Sequence, residues 1–263
     1  MTNSAPNILC GVKPATTIDG VIAELDKIIK WSITHNSRFG YFAALYKKVT
    51  IKVKEGIADG VFENPERMEK LDIIFANRYL DAYSCFENKT KLTNSWTIAF
   101  KSASLARPIV LQHLLAGMNA HIDLDLGVAA AQIAPKDQIW ELENDFKKIN
   151  EILSDLVDLV QKELSGIWPL LNVLDWLAGQ WDEKLSDIGM LFARNKAWEF
   201  ALALAKDEEE LDDLINERDG MTSGFAKKIF SPGLLLSIVL LFVKMGEIGS
   251  IGSQIKLLDG ELE

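Results

Sequence analysis

Cysteine and histidine are scarce in this chain, whose 263 residues include two cysteines, Cys10 and Cys85, and three histidines. Two widely separated cysteines match neither the close, even spacing of a disulfide-stapled secreted domain nor that of a structural zinc site. They are read as reduced thiols of a cytoplasmic protein, Cys85 as a small packing residue rather than a nucleophile. No GxSxG elbow, HExxH helix or CxxC pair occurs, which removes the main support for serine-hydrolase, zincin and redox chemistry. The N-terminus lacks a basic segment followed by a long apolar run, so no signal peptide is expected.

Positive charge is short as well. The net charge is −10 and the pI about 4.9, so binding to nucleic acid phosphates would need a local basic patch. The nearest thing to one, Lys47, Lys48, Lys52 and Lys54, is interleaved with Val49, Ile51 and Val53, as on the wet side of an amphipathic helix. No nucleic-acid partner is expected. Long hydrophobic runs are limited to Gly233 to Val243, GLLLSIVLLFV, which Lys244 and Glu247 end well before the roughly 20 residues a membrane span requires. That run is expected to be a buried core helix, with shallow membrane association as the alternative.

Alternating β-branched runs bounded by turn residues are scarce too, whereas helical periodicity recurs. The expected fold is all-α: a single-domain helical bundle with a long amphipathic central helix. Ile18, Val21, Ile22, Leu25, Ile28, Ile29 and Ile33 follow three-and-four spacing after a cap at Thr17 or Asp19. A second helix runs from about Tyr41 to Ala58. A third starts at Asn64 and Pro65, a cap residue followed by the helical position that suits proline best, and ends near Asn88. A short helix starts at Thr93 or Asn94. Pro135 precedes the long helix, whose stripe is Ile139, Leu142, Phe146, Ile149, Leu153, Leu156, Val160 and Leu164; about two heptad pairs do not make a coiled coil, so the stripe is expected to pack within the domain and marks no oligomeric state. Trp168, Trp176, Trp181 and Trp198 make a tryptophan-rich region, followed by an acidic run from Asp207 to Asp213 at a surface helix start. The expected organisation is an N-terminal extension over residues 1–16, a helical domain over 17–246 and a flexible C-terminal tail over 247–263.

Between Pro108 and Pro135 lies PIVLQHLLAGMNAHIDLDLGVAAAQ, with two of the three histidines beside Asn119, Asp123 and Asp125. On a helix advancing about 100° per residue, His121 and Asp125 share a face, Asp123 points nearly opposite, and His113 sits about 80° away from His121 unless Gly117 kinks the axis. Imidazole and carboxylate at that spacing can act as a metal-ligand pair. His113 and Asp72, the most conspicuous carboxylate of the apolar segment LDIIFANRYLDAY, would complete a set of His113, His121, Asp125 and Asp72 for zinc, iron or manganese. A second chemistry needs no metal: His121 as general base, Asp125 or Asp72 orienting its other ring nitrogen, and Tyr79, on the Asp72 face, as acid or hydrogen-bond donor. The third reading is a buried hydrogen-bonded brace between helices. Arg78 and Asp81 could pair with charges on other helices. His35 could swing into the same site, but its position favours capping a helix C-terminus.

The residues RFGYFAALYKKVT, NPERMEKLDIIFANRYLDAY, SWTIAF and RPIVLQHLLAGMNAHIDLDLG resemble a bacterial family of uncharacterised helical proteins, over roughly residues 35–205. That family centres on the block formed here by Gln112, His113, Asn119, Ala120, His121, Leu124, Asp125, Leu126 and Gly127. The resemblance implies an α fold and makes this block the place to look, and it supplies no reaction. The histidine-bearing helices are also loosely similar to helical zinc phospholipases, although three histidines fall short of that ligand set. The functional expectation is a small-molecule enzyme, a metal-assisted hydrolase or lyase with a His/Asp site in a helical pocket. Its alternatives are a noncatalytic helical binding or scaffold protein and a cyclase of an apolar isoprenoid-like substrate using Asp72, Asp123 and Asp125, for which the DDxxD pattern is absent.

Overall fold

A computed structural model describes residues 13–168, 192–206 and 211–261, all helix and connecting turn with no strand among them. In chain order the α-helices are α1 (Ile18–His35), α2 (Phe39–Ala58), α3 (Pro65–Glu87), α4 (Asn94–Ser102), α5 (Val110–Ala120), α6 (Leu126–Ile133), α7 (Glu143–Ile167), α8 (Phe192–Lys206), α9 (Leu211–Phe230), α10 (Leu234–Gly246) and α11 (Ile251–Asp259). A π-helical turn, His121–Asp125, joins α5 to α6, and a 3₁₀ segment, Lys136–Leu142, leads into α7. Cys10, Trp176, Trp181 and residues 207–210 of the acidic run lie outside the described residues, as do the side chains of Leu153, Leu156 and Val160.

Local signals set the first elements. Thr17 caps α1 by accepting from the Gly20 N–H, and Asn64 caps α3 by accepting from Arg67, with Pro65 in the first turn. His35 is exposed and its Nδ1 lies 2.8 Å from the Trp31 carbonyl, so it satisfies the last turn of α1 rather than entering a site. The long amphipathic helix departs from expectation in its first two turns, which are 3₁₀: Lys136 takes a left-handed φ of 57° directly after Pro135, and the regular α-helix begins only at Glu143.

Three helix starts, that of α3 among them, are held from far away in the sequence. Asp219 on α9 accepts from the backbone N–H groups of Asn94 and Ser95, where the Thr93 side chain makes no capping bond. The wholly buried Asp145 on α7 accepts from Glu63 and Asn64 ahead of α3 and from the Arg67 guanidinium. Glu247 accepts from the Val110 N–H at the start of α5. Each carboxylate meets orphan donors at the positive end of a helix dipole, so each fixes a helix position as well as a helix end.

Among the described residues the apolar core falls into two large clusters and a small third one of Ile109, Trp168 and Val243. One large cluster gathers Leu25, Ile29, Tyr41, Tyr79, Trp96, Leu114 and Ile255 from α1 to α5 and α11; the other gathers Met68, Leu71, Leu124, Ile139, Leu142 and Ala201 from α3, the π turn, the 3₁₀ segment and α8. The continuous rod α5–π–α6 runs from the first into the second. Gly117 serves close packing: a Cβ there would sit 2.5 Å from the Phe42 ring, so glycine lets α2 approach α5.

Residues 13–16 and 251–259, expected as parts of an extension and a tail, are packed on the helices. Ala15 exchanges two hydrogen bonds of 2.8 Å with the Asn77 side chain, which docks residues 13–16 on α3. Residues 251–259 form α11, capped by Ser250 and packed through Ile255 and Leu258, both buried. Gln254 of α11 accepts a hydrogen bond from the Tyr41 hydroxyl, which makes the expected tail part of the core. The apolar run expected as a buried core helix is α10, and only its Val243 is buried.

Asp219→Ala is expected to lower the unfolding free energy by about 2–3 kcal/mol, because it strands two N–H groups at the α4 start. Thr93→Ala, which removes no capping bond, is expected to cost less than about 0.5 kcal/mol. Urea titrations of both variants followed by circular dichroism measure the contrast.

Candidate functional site

The centre of the expected block is a buried carboxylate with three donors. Asp125 accepts from Arg78 Nε at 2.8 Å on one oxygen and from Trp96 Nε1 at 2.8 Å on the other, which also lies 3.3 Å from His121 Nδ1. These donors come from α3, α4 and the π turn. His121 and Asp125 do share a face, at π-turn spacing rather than α spacing. A π turn places one extra residue in the helix and often marks a functional stretch. Asp123 points elsewhere, accepting from Arg218 at 2.5 Å and from Thr222 at 2.9 Å, and so ties the rod to α9. Asn119 adds a second tie, donating to the Thr222 carbonyl.

Burial and charge set the protonation states. Desolvation pushes the Asp125 carboxyl up, but the Arg78 guanidinium and the hydrogen bonds from His121 and Trp96 outweigh it and hold the group below the ordinary aspartate range. Desolvation pulls the His121 imidazole below its usual value, only partly offset by Asp125. The pair is therefore a carboxylate and a neutral imidazole, with the proton on Nδ1 facing Asp125 and Nε2 carrying a lone pair.

That lone pair meets no hydrogen-bond partner. His121 is 2% exposed, stacked on Phe75 at 3.6 Å between ring centroids and met edge-on by Tyr46 at 4.4 Å. His121 Nε2, the Tyr46 and Tyr79 hydroxyls and Asp72 Oδ2 are all buried without a partner among the described residues. Buried polar atoms are nearly always paired, and an unpaired one costs roughly 1–3 kcal/mol. Desolvation, aided by Glu69, pushes the Asp72 carboxyl up to about 7, and the same burial, with Asp72 next in effect, raises the Tyr46 hydroxyl well above its normal range.

On its outer side Asp125 lines a cleft of about 210 Å³ shared with Asn77, Arg78, Lys91, Trp96 and Gln132. The cleft reaches Asp125, and His121 lies behind that carboxylate.

The four expected metal ligands do not gather. His113 contacts Ser102, Tyr41 and Phe230, with burial holding its imidazole down at about 3, and shares none of the His121 neighbours named above. Among the described residues no three His, Cys, Asp or Glu side chains are placed to hold a metal ion. The expected set included His113 despite its offset of about 80° on the wheel, and its contacts lie with Ser102, Tyr41 and Phe230 instead. Cys85 is disulfide-bonded, which corrects its reading as a reduced thiol. Three residues of the site escaped sequence reading: Tyr46, Phe75 and Trp96. Phe75 and Tyr79 follow Asp72 by three and seven positions, and Tyr46 follows Phe42 by four, a spacing that core aromatics share.

Residues 18–232 match the family of unknown function DUF5995. The chain belongs to that family. Searches of curated proteins and of solved structures return no match. The DUF5995 segment takes in every residue of the Asp125 site and ends just before α10.

Asp72 gives the site a pH signature. Between about pH 4 and pH 7 it is protonated when folded and ionised when unfolded, so its contribution falls as pH rises and is lost above about 7. Asp72→Asn is expected to be more stable than the wild type by a margin that grows across that window, by at most about 1.4 kcal/mol per pH unit, and then levels off. Urea midpoints at a series of pH values check it; a constant margin would place the Asp72 carboxyl in its ordinary range.

Proposed function

We propose that this DUF5995 protein is a small-molecule enzyme that works by metal-free acid–base chemistry, a hydrolase or lyase in which His121 is the general base. Asp125 orients the imidazole through Nδ1, and Tyr79 donates a hydrogen bond or proton. The observation that carries this reading is a set of unpaired buried atoms: His121 Nε2, the hydroxyls of Tyr46 and Tyr79, whose rings meet that imidazole, and Asp72 Oδ2, whose charge acts on Tyr46. A helix brace gains nothing from four such atoms, whereas a site awaiting a polar ligand needs them. The metal-assisted alternative has less support, because among the described residues no three His, Cys, Asp or Glu side chains gather.

A second reading, the noncatalytic brace, rests on a different observation: both oxygens of Asp125 are already satisfied, and the side chains joined to them come from three elements. In that case the polar cluster only specifies how α3, α4 and the rod meet.

The two readings part on activity rather than on stability. Tyr79→Phe removes a buried hydroxyl that has no partner, so it is expected to leave stability unchanged or raise it by about 1 kcal/mol. Under the enzyme reading, wild-type protein incubated with a bacterial metabolite extract consumes at least one compound seen by mass spectrometry. Folded His121→Asn consumes it about 10²–10⁴-fold more slowly, and Tyr79→Phe also slows it. An extract left unchanged by the wild type, or consumed equally by His121→Asn, would leave the brace as the function of the cluster.

A further inference from the structure

We propose that the exposed apolar face of α10 is where two copies of this chain pair as a dimer. Leu234 and Leu235 are 82% and 80% exposed, Phe242 67% and Met245 76%, with Ile238, Leu241 and Ile248 near one half. At about 100° per residue the six on α10 fall within a stripe about 120° wide, opposite Val243, which packs with Trp168 and Ile109. The helix therefore has its inner side seated and its outer side bare.

Size favours a protein partner. At about 200 Å² for a fully exposed large apolar residue, these fractions amount to roughly 900 Å². That exceeds the roughly 300–600 Å² of the largest patch on an ordinary monomer and matches the roughly 800 Å² that each side of a stable complex buries.

Charge favours a second copy over a bilayer. The stripe contains no ionisable side chain, and the flanking Lys244 is paired with Glu247 at 2.7 Å. Two stripes can face each other around a two-fold axis without opposing like charges, even though each chain carries a net charge of −10. A helix lying in a membrane interface draws on lysine and arginine along its polar side, and α10 offers only the paired Lys244. No single described helix is long and apolar enough to cross a membrane. The one bent pair that passes by composition, Leu211–Phe230 with Leu234–Gly246, includes α9, whose Arg218, Asp219 and Thr222 are bonded into the fold.

Sedimentation equilibrium of the full chain at micromolar concentration tests the pairing. The expected mass is twice 29.3 kDa for the wild type and once that value for Leu235→Glu/Phe242→Glu, with unchanged helical circular dichroism. Ile238→Cys, a milder change mid-stripe, is expected to give a covalent dimer on mild oxidation. A wild-type monomer throughout, a dimer that persists in the double variant, or a monomer that floats with phosphatidylcholine vesicles through these residues would each overturn the proposal. The last would assign the face to lipid, and a monomer that does not float would assign it to cover from within the chain.

Discussion

A buried carboxylate in the middle of a helical rod cannot be left unpaired, and Asp125 requires three donors at once. Arg78, Trp96 and His121 must arrive from α3, α4 and the rod itself. Removing an ion from water costs several kcal/mol, recovered only when geometry and hydrogen bonding are complete. The placement of α3 and α4 is thus constrained by one side chain. Two other carboxylates meet the same demand, since Asp145 holds the start of α3 and Asp219 the start of α4. The donors of Asp125 are delivered by helices whose own ends are pinned by Asp145 and Asp219.

Two carboxyl groups of this interior are pushed in opposite directions. Asp125 has a cation and two hydrogen-bond donors and stays ionised, while Asp72 has neither and rises to about 7. Such separation is how one site comes to hold both a fixed anion and a group able to exchange a proton near neutrality. His121 Nε2 and the Tyr46 hydroxyl are neutral and unpaired, so the same interior holds a charged, satisfied carboxylate and neutral, unsatisfied groups.

Sequence legibility followed distance along the chain. Thr17, Asn64 and Pro65 announce helix starts because cap and helix are adjacent, and His121 with Asp125 is visible because four residues bring a helix face round once. Asp219, Asp145 and Glu247 could not be read as caps, since the N–H groups they bind lie 125, 82 and 137 positions away. Trp96 and Tyr46 hid for another reason. An aromatic at helical spacing is ordinary core material, and only the structure shows that one supplies a donor and the other an unpaired hydroxyl. Gly117, considered for a kink, is a point of close approach by Phe42, a demand set by a partner helix that local sequence does not encode.

The C-terminal helices reverse the usual placement of polar and apolar groups. α9 turns Arg218, Asp219 and Thr222 inward to bind the rod and α4, while α10, a few residues later, leaves its leucines and Phe242 outside. The inward polar groups are each satisfied, so their burial is compensated. The outward leucines have no such compensation: hydration of exposed apolar surface costs on the order of 25 cal/mol per Å². That residual cost lies on α10, which with α11 follows the family segment and whose inner side packs through Val243 and its neighbours. The apolar composition of α10 therefore exceeds what packing against the described residues uses.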